Sequence, residues 1–307
     1  MAMMKQSRIK SSDWKRTAFI VGMLALPLLQ FAIFFLYVNV NTIRMSFKHI
    51  SGATGEITPW SIQNYVNFFN ELSTLPRYGR ALKNSLLFGA NDLLLLTISV
   101  IFAYFFYKKV RGAKIFRIIF FLPSIISIVI FVMVYKFMFN PNTGNLVGKI
   151  LGVIMKNPPD FYGGENQVLW ITTYCLWVGT GYNILIMGGA MGNLPEDVME
   201  YSRLEGVGYA KELFLIVIPM IWPTISVGIL AAFTTMFTLY LQVDLLGSIH
   251  GSNIKCESIA YIINSKVKSG QDLEMAATIG VCFTIFAIPF LIVVRKLLDK
   301  VNQAFEG

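Results

Sequence analysis

The sequence predicts an all-α fold, a polytopic membrane helix bundle with six transmembrane helices, and three observations carry that prediction. The 307-residue chain is 55% apolar with a mean hydropathy of +0.60, more than an ordinary soluble domain of this length shows. Six apolar stretches reach the roughly 20 residues that a hydrocarbon core about 30 Å thick demands of a helix. The basic residues gather beside these stretches instead of forming an aromatic-interleaved patch, so the net charge of +9 reads as a topology signal and not as the mark of a nucleic-acid partner.

The first stretch, 17–40, follows Lys5, Arg8, Lys10, Lys15 and Arg16, which place the N-terminal segment 1–16 in the cytoplasm. Its apolar run is longer than that of a cleaved signal and no small-x-small site follows, so it is read as a retained anchor. It joins an external loop to make a segment 17–83. There PWSIQNYVNFFNEL puts Ile62, Tyr65, Val66 and Phe69 on one face of an amphipathic helix starting near Ser61, suited to the membrane surface. The second stretch, 84–107, carries Asp92 beside Asn91. An acid within a span is costly unless it faces the bundle interior, so Asp92 is a functional candidate, with a structural hydrogen bond between helices as the alternative.

Lys108, Lys109, Arg111, Lys114 and Arg117 mark a cytoplasmic loop before the third stretch, 115–139. The fourth, fifth and sixth stretches are 168–191, 214–239 and 275–294; Arg295, Lys296 and Lys300 keep the tail, 298–307, inside the cell. Residues 84–297 thus form the core domain. Pro27, Pro123, Pro223 and Pro289 fall within spans as candidate bends. Cys175 and Cys282 lie in spans and Cys256 stands alone, so the cysteines spell neither a disulfide framework nor a metal cluster.

Between the fourth and fifth stretches, the loop 194–213 is charged and broken by glycines. Asn193 can cap a short helix, Pro195 suits its first turn, and Glu196 and Asp197 complement the helix dipole. The helix runs to about Leu204, and Gly206 and Gly208 supply a turn before a second helical stretch led by residues 210–214. A folded cytoplasmic loop of this kind implies a docking partner.

Glu200, Tyr201, Ser202, Arg203, Leu204, Glu205 and Gly206, followed further on by Pro219, resemble the signature loop of binding-protein-dependent ABC transporter permeases of the carbohydrate-uptake, maltose-permease-like subgroup. Tyr201 and Ser202 stand where that family prefers alanines, and Glu205 where it prefers aspartate. FLPSIISIVIFVMVYKFMFNPNTGNL (121–146), WVGTGYNILIMGGAMGNLP (177–195) and MAATIGV (275–281) extend the likeness over nearly the whole chain. The resemblance implies a type I ABC importer permease fold in the plasma membrane, with the loop as a coupling helix seated in a cleft of the cytoplasmic ATPase. It also implies a second permease subunit, two ATP-binding subunits, an extracellular solute-binding protein and a carbohydrate solute, an oligosaccharide. Glu200 and Arg203 would then make polar contacts with the ATPase, Tyr201 and Leu204 apolar ones, and Gly206 the turn. The external amphipathic helix would be placed to touch the solute-binding protein.

No catalytic, cofactor or metal constellation is visible. GNLVGKI (144–150) is one residue short of a phosphate loop and has Ile150 where Ser or Thr would bind magnesium. His49 and His250 lack ligand partners at useful spacing and read as surface residues. A sugar in a bilayer needs a partner for each buried hydroxyl, at about 1–3 kcal/mol for each one missed. Trp177, Gly179, Tyr182 and Asn183 in the fourth stretch and Thr234, Thr235 and Thr238 in the fifth provide a candidate path together with Asp92. In maltose-type permeases the solute site lies on these two helices, and the positions that match here include Gly179, Tyr182 and Thr235. Threonines and glycines that only pack helices tightly are the competing reading. The rival functions are an ion-coupled secondary transporter using Asp92 and, less well supported, an integral membrane enzyme; neither internal duplication nor clustered acids, histidines or cysteines supports them.

Overall fold

The computed structural model describes residues 4–50, 57–139, 149–150, 153, 166–247 and 255–306, with side chains from residue 14 to residue 305. It is helical apart from one short antiparallel strand pair, and it forms two compact units: Met1–Phe69 with Asp272–Val281, and Asn70–Gln271 with Cys282–Gly307.

In the first unit, α1 (Met4–Phe31) passes through a π-helical turn (Ala32–Tyr37) into α2 (Val38–Ser46). The run Trp14–Ser46 is long and apolar enough to cross a membrane, and no part of its apolar window is buried within the chain. A helix apolar all round and covered by none of the described residues suits lipid as its solvent. The strands β1 (His49–Ile50) and β2 (Ile57–Thr58) pair His49 with Thr58 and Ile50 with Ile57. Asn64, at the start of α3 (Gln63–Thr74), holds this corner: its side-chain amide donates to the carbonyls of Ser46 (3.2 Å) and Lys48 (2.8 Å), and its Oδ1 lies 2.8 Å from His49 Nδ1. The buried Thr278 hydroxyl donates to the same Ser46 carbonyl at 3.1 Å. These bonds satisfy carbonyl groups that the end of α2 leaves without an intrahelical donor. The face of α3 that meets the rest of the unit is not the apolar stripe counted in the sequence. Asn64 and Phe68 are its buried residues, while Ile62, Val66 and Phe69 are exposed, which leaves that apolar stripe open on the outer side of the helix, as a helix lying on a membrane surface requires.

The second unit contains α4 (Pro76–Tyr107), α5 (Ala113–Ile125), α6 (Ile128–Phe139), α7 (Gln167–Gly192), α8 (Glu196–Leu204) and α9 (Tyr209–Glu212). A π-helical turn (Leu213–Val217) leads to α10 (Ile218–Met220), then α11 (Trp222–Thr238), α12 (Leu241–Gly247) and α13 (Ile259–Ser269). The last helix, α14 (Leu273–Glu306), contributes to both units. Two of the expected spans are not continuous. The third is broken, α5 and α6 meeting at 108°, and the fifth is broken, Tyr209–Met220 meeting Trp222–Thr238 at 79°. The first break follows Pro123 and the second is flanked by Pro219 and Pro223, as expected where proline removes a backbone donor. Pro27 and Pro289 leave α1 and α14 unbroken. Among the described residues three helices pass on length and composition, and up to five if each bent pair counts as one span. The fourth predicted span is α7, whose 26 residues are about 39 Å long, enough to cross but diluted by glycine, threonine and asparagine.

α7 packs against both α4 and α5. At Gly181 a Cβ would sit 2.0 Å from the Phe120 carbonyl oxygen and 2.9 Å from the Phe121 Cα, so only glycine lets the α5 backbone pass. At the adjacent residue, the buried Ser99 hydroxyl of α4 donates to Leu95 O at 2.8 Å and approaches Thr180 O at 3.4 Å. Around this crossing lie two cores. One joins Leu96, Val100, Met187 and Met191 with Met199, Leu213 and Val217. The other is aromatic, with Tyr135 4.2 Å from Trp170 and 5.1 Å from Tyr174 between ring centroids. Gly181→Ala is expected to destabilise the bundle by about 1–3 kcal/mol or more, read as a fall in the thermal unfolding midpoint of the purified protein, whereas Gly188→Ala, with open space around it, should leave that midpoint in place.

Candidate functional site

Two features of the second unit stand out: a cavity inside the bundle and a folded hairpin at its end. The cavity, of about 530 Å³, is walled by α4, α7 and α11 with Ile128, Leu239 and Gln242. From α7 it receives Cys175, Val178, Gly179, Tyr182, Asn183 and Ile186, a stripe at three- and four-residue spacing that lies on one helix face. From α4 come Asp92, Leu95 and Leu96, and from α11 Thr224, Val227, Gly228, Ala231, Ala232 and Thr235. Asp92 and Thr235 line the cavity together, and the Thr235 hydroxyl donates to Ala231 O at 3.2 Å. The Asn183 amide donates to Gly179 O at 3.1 Å.

Of the residues expected along a solute path, Asp92, Gly179, Tyr182, Asn183 and Thr235 therefore share one cavity. Three do not line it. Trp177 turns away onto the aromatic core, edge-on to Phe131 at 5.1 Å. Thr234 and Thr238 occupy another face of α11, and their hydroxyls donate back to Leu230 O (2.8 Å) and Thr234 O (3.1 Å), the usual way a mid-helix threonine satisfies itself. Sequence reasoning missed Thr224 and Gln242. Both are polar residues within apolar runs, and that alone could have raised them.

The hairpin is built from its termini. Pro195, not Asn193, is the residue preceding the first turn of α8; Asn193 closes α7 instead, because the Asn193 and Leu194 N–H groups still donate into that helix, at 3.2 Å each. Glu196 and Asp197 in the first turn and Arg203 in the last match the helix dipole. At the other end Gly206, with φ +68°, donates to Arg203 O, and Val207 donates to Ser202 O, each at 3.1 Å. This paired pattern is a Schellman cap, and the left-handed position calls for glycine. Met199 and Ser202 are buried, while Glu200, Arg203 and Glu205 are exposed. Tyr201 is 70% and Leu204 84% exposed. The helix thus grips the core with one face and presents apolar side chains on the other.

A buried ion pair fixes the return. Lys108, just after α4, meets Glu212 at the end of α9, with side chains only 8% and 2% exposed. The Lys108 Nζ also lies 5.6 Å from the Tyr104 ring centroid and 5.8 Å from that of Tyr209, within cation–π range. The hairpin is in this way tied to a helix that walls the cavity.

A bundle of membrane-length helices enclosing a part-polar cavity and carrying a folded hairpin has the parts that a permease subunit needs. The chain belongs to the family described as binding-protein-dependent transport system inner membrane component, whose family model matches residues 95–306. It is 26% identical over 280 residues to the arabinooligosaccharides transport system permease protein AraP of Halalkalibacterium halodurans, across 88% of this chain and 84% of that protein. It is 22% identical over 295 residues to the sn-glycerol-3-phosphate transport system permease protein UgpA of Pectobacterium atrosepticum, across 94% and 97% of the two chains. Among solved structures it is similar to a chain of a bacterial ABC transporter that imports the acidic polysaccharide alginate, with a TM-score of 0.81 at 20% identity over 95% of this chain and 98% of that one. Its fold is that of a type I ABC importer permease.

Removing one member of the Lys108–Glu212 pair strands a buried charge, at about 3–5 kcal/mol. Lys108→Met and Glu212→Leu are each expected to lower the unfolding midpoint markedly, and the double variant to recover most of the loss, as a double-mutant cycle on the purified protein would show.

Proposed function

We propose that this chain is the permease subunit through which an ABC importer moves a carbohydrate, an oligosaccharide, into the cell. An extracellular solute-binding protein delivers the solute, a second permease subunit completes the path, and two cytoplasmic ATP-binding subunits supply the energy. The observation that carries the reading is α8: one face is locked into the core by Met199 and Ser202, and the opposite face offers Tyr201 and Leu204, largely exposed among the described residues. On this reading α8 is the coupling helix, Glu200, Arg203 and Glu205 supply its polar contacts, and Gly206 its turn.

The route from motor to cavity follows from the connections. Force on α8 passes through Gly206 and Gly208 into the run Tyr209–Met220, which Glu212 pins to Lys108 at the end of α4. Beyond the break at Ile221 the chain becomes α11, and both α4 and α11 wall the cavity. Movement of the hairpin therefore reaches two of the three helices that would hold the solute. The basic residues at Lys108, Lys109, Arg111, Lys114 and Arg117, with those preceding the first span, support a cytoplasmic hairpin and cytoplasmic termini in a plasma-membrane protein. Two of these similarities support a sugar: one relative is a permease for arabinooligosaccharides, and the structural neighbour belongs to an importer of alginate. ATP hydrolysis is assigned to the separate subunits; the Gly144–Ile150 stretch lies largely outside the described residues, as does His250.

Gly206→Val forces a β-branched side chain into a left-handed backbone, costing roughly 1–2 kcal/mol or more. It is expected to abolish uptake and ATPase coupling while membrane insertion stays normal. Leu204→Glu should prevent co-purification of the ATP-binding subunits. Normal uptake by the first variant together with intact co-purification by the second would refute the docking role of α8.

A further inference from the structure

We infer that the cavity selects by charge, admitting neutral polyhydroxylated solutes and rejecting anionic ones, with Asp92 as the selecting residue; the inference rests on the proposed permease function. Among the described residues Asp92 is the only wall residue of a charged type: no Lys, Arg or His lines the cavity. The other polar groups are the neutral Asn183, Gln242, Thr224, Thr235, Tyr174 and Tyr182, set among leucine, isoleucine, valine and methionine. A volume of about 530 Å³ falls in the range of roughly 300–1,000 Å³ in which protein pockets hold small ligands.

This donor and acceptor set suits sugar hydroxyls. A carboxylate accepts hydrogen bonds from hydroxyl groups, carboxamides serve as donor or acceptor, and the aliphatic wall takes the C–H faces. It does not suit a uronate or a phosphate, whose oxygens are best met by Arg or Lys. An anion about 5 Å from Asp92, at an effective dielectric near 20, would meet a repulsion equivalent to a factor on the order of a hundred in affinity. The fold itself leaves charge open, since a chain of the same architecture belongs to an importer of the acidic polysaccharide alginate; the lining decides it.

The test uses the complete transporter, purified with its ATP-binding subunits in lipid nanodiscs. Direct binding is measured for a neutral arabino-trisaccharide and for an alginate trisaccharide, so the solute-binding protein does not filter them first. The intact protein is expected to prefer the neutral sugar by at least tenfold. Asp92→Asn should shrink that ratio by at least tenfold, by weakening the neutral ligand and strengthening the acidic one. Gln242→Lys, which leaves Asp92 in place, should raise affinity for the acidic sugar. Equal binding of both sugars to the intact protein, or a ratio that neither variant shifts, overturns the charge filter and leaves the permease assignment standing. Binding of neither sugar class overturns the carbohydrate reading along with it.

Discussion

The fold depends on how closely two backbones approach at Gly181. Lipid tails are as apolar as leucine, so membrane helices gain little from burying apolar surface against one another and rely on close packing and on hydrogen bonds between helices. With no side chain at 181, α5 passes with its Phe120 carbonyl where a Cβ would otherwise lie. On the same turn of α7, Thr180 O is approached by the Ser99 hydroxyl of α4. One helix is thereby fixed to two neighbours over two residues. That registration holds the stripe from Cys175 to Ile186 toward α11, and without it the cavity would have no defined wall.

The spans were legible because hydrophobic length is a property of the chain itself. What broke them was only half legible. Pro123 and Pro223 announced trouble, but a proline kinks or ends a helix according to what surrounds it; Pro27 and Pro289 have the same chemistry and sit in continuous helices. At the cavity, helical spacing grouped Gly179, Tyr182 and Asn183 correctly, since a face is a matter of counting. Trp177 is two residues off that face, and a count would have excluded it. The threonine row of α11 divides for the same reason: Thr235 is one residue, hence about 100°, from Thr234. Gln242 belongs to a separate short helix beyond the break at Leu239, so no period computed along the span could reach it.

The least legible feature was the partnership of Lys108 with Glu212. In the sequence Lys108 is one of five basic residues that report topology, and Glu212 is a charge near the end of a loop. Nothing local connects them. Their contact is produced by the packing of α9 and the following π-helical turn beneath α4, where Leu213 and Val217 join the core that holds Val100 and Tyr104. Long-range ion pairs of this sort emerge from tertiary structure, whereas the Schellman cap at Gly206, made within six residues, was readable from the glycine alone.

That buried pair also constrains how the chain can diverge. Because either charge alone is penalised inside the protein, a descendant cannot lose position 108 and position 212 in separate tolerated steps without passing through a weakened intermediate. Drift at the two sites must be concerted, by charge reversal or by simultaneous replacement with apolar residues. Lineages descending from this protein should therefore inherit the two positions as a linked unit, although more than a hundred residues separate them along the chain.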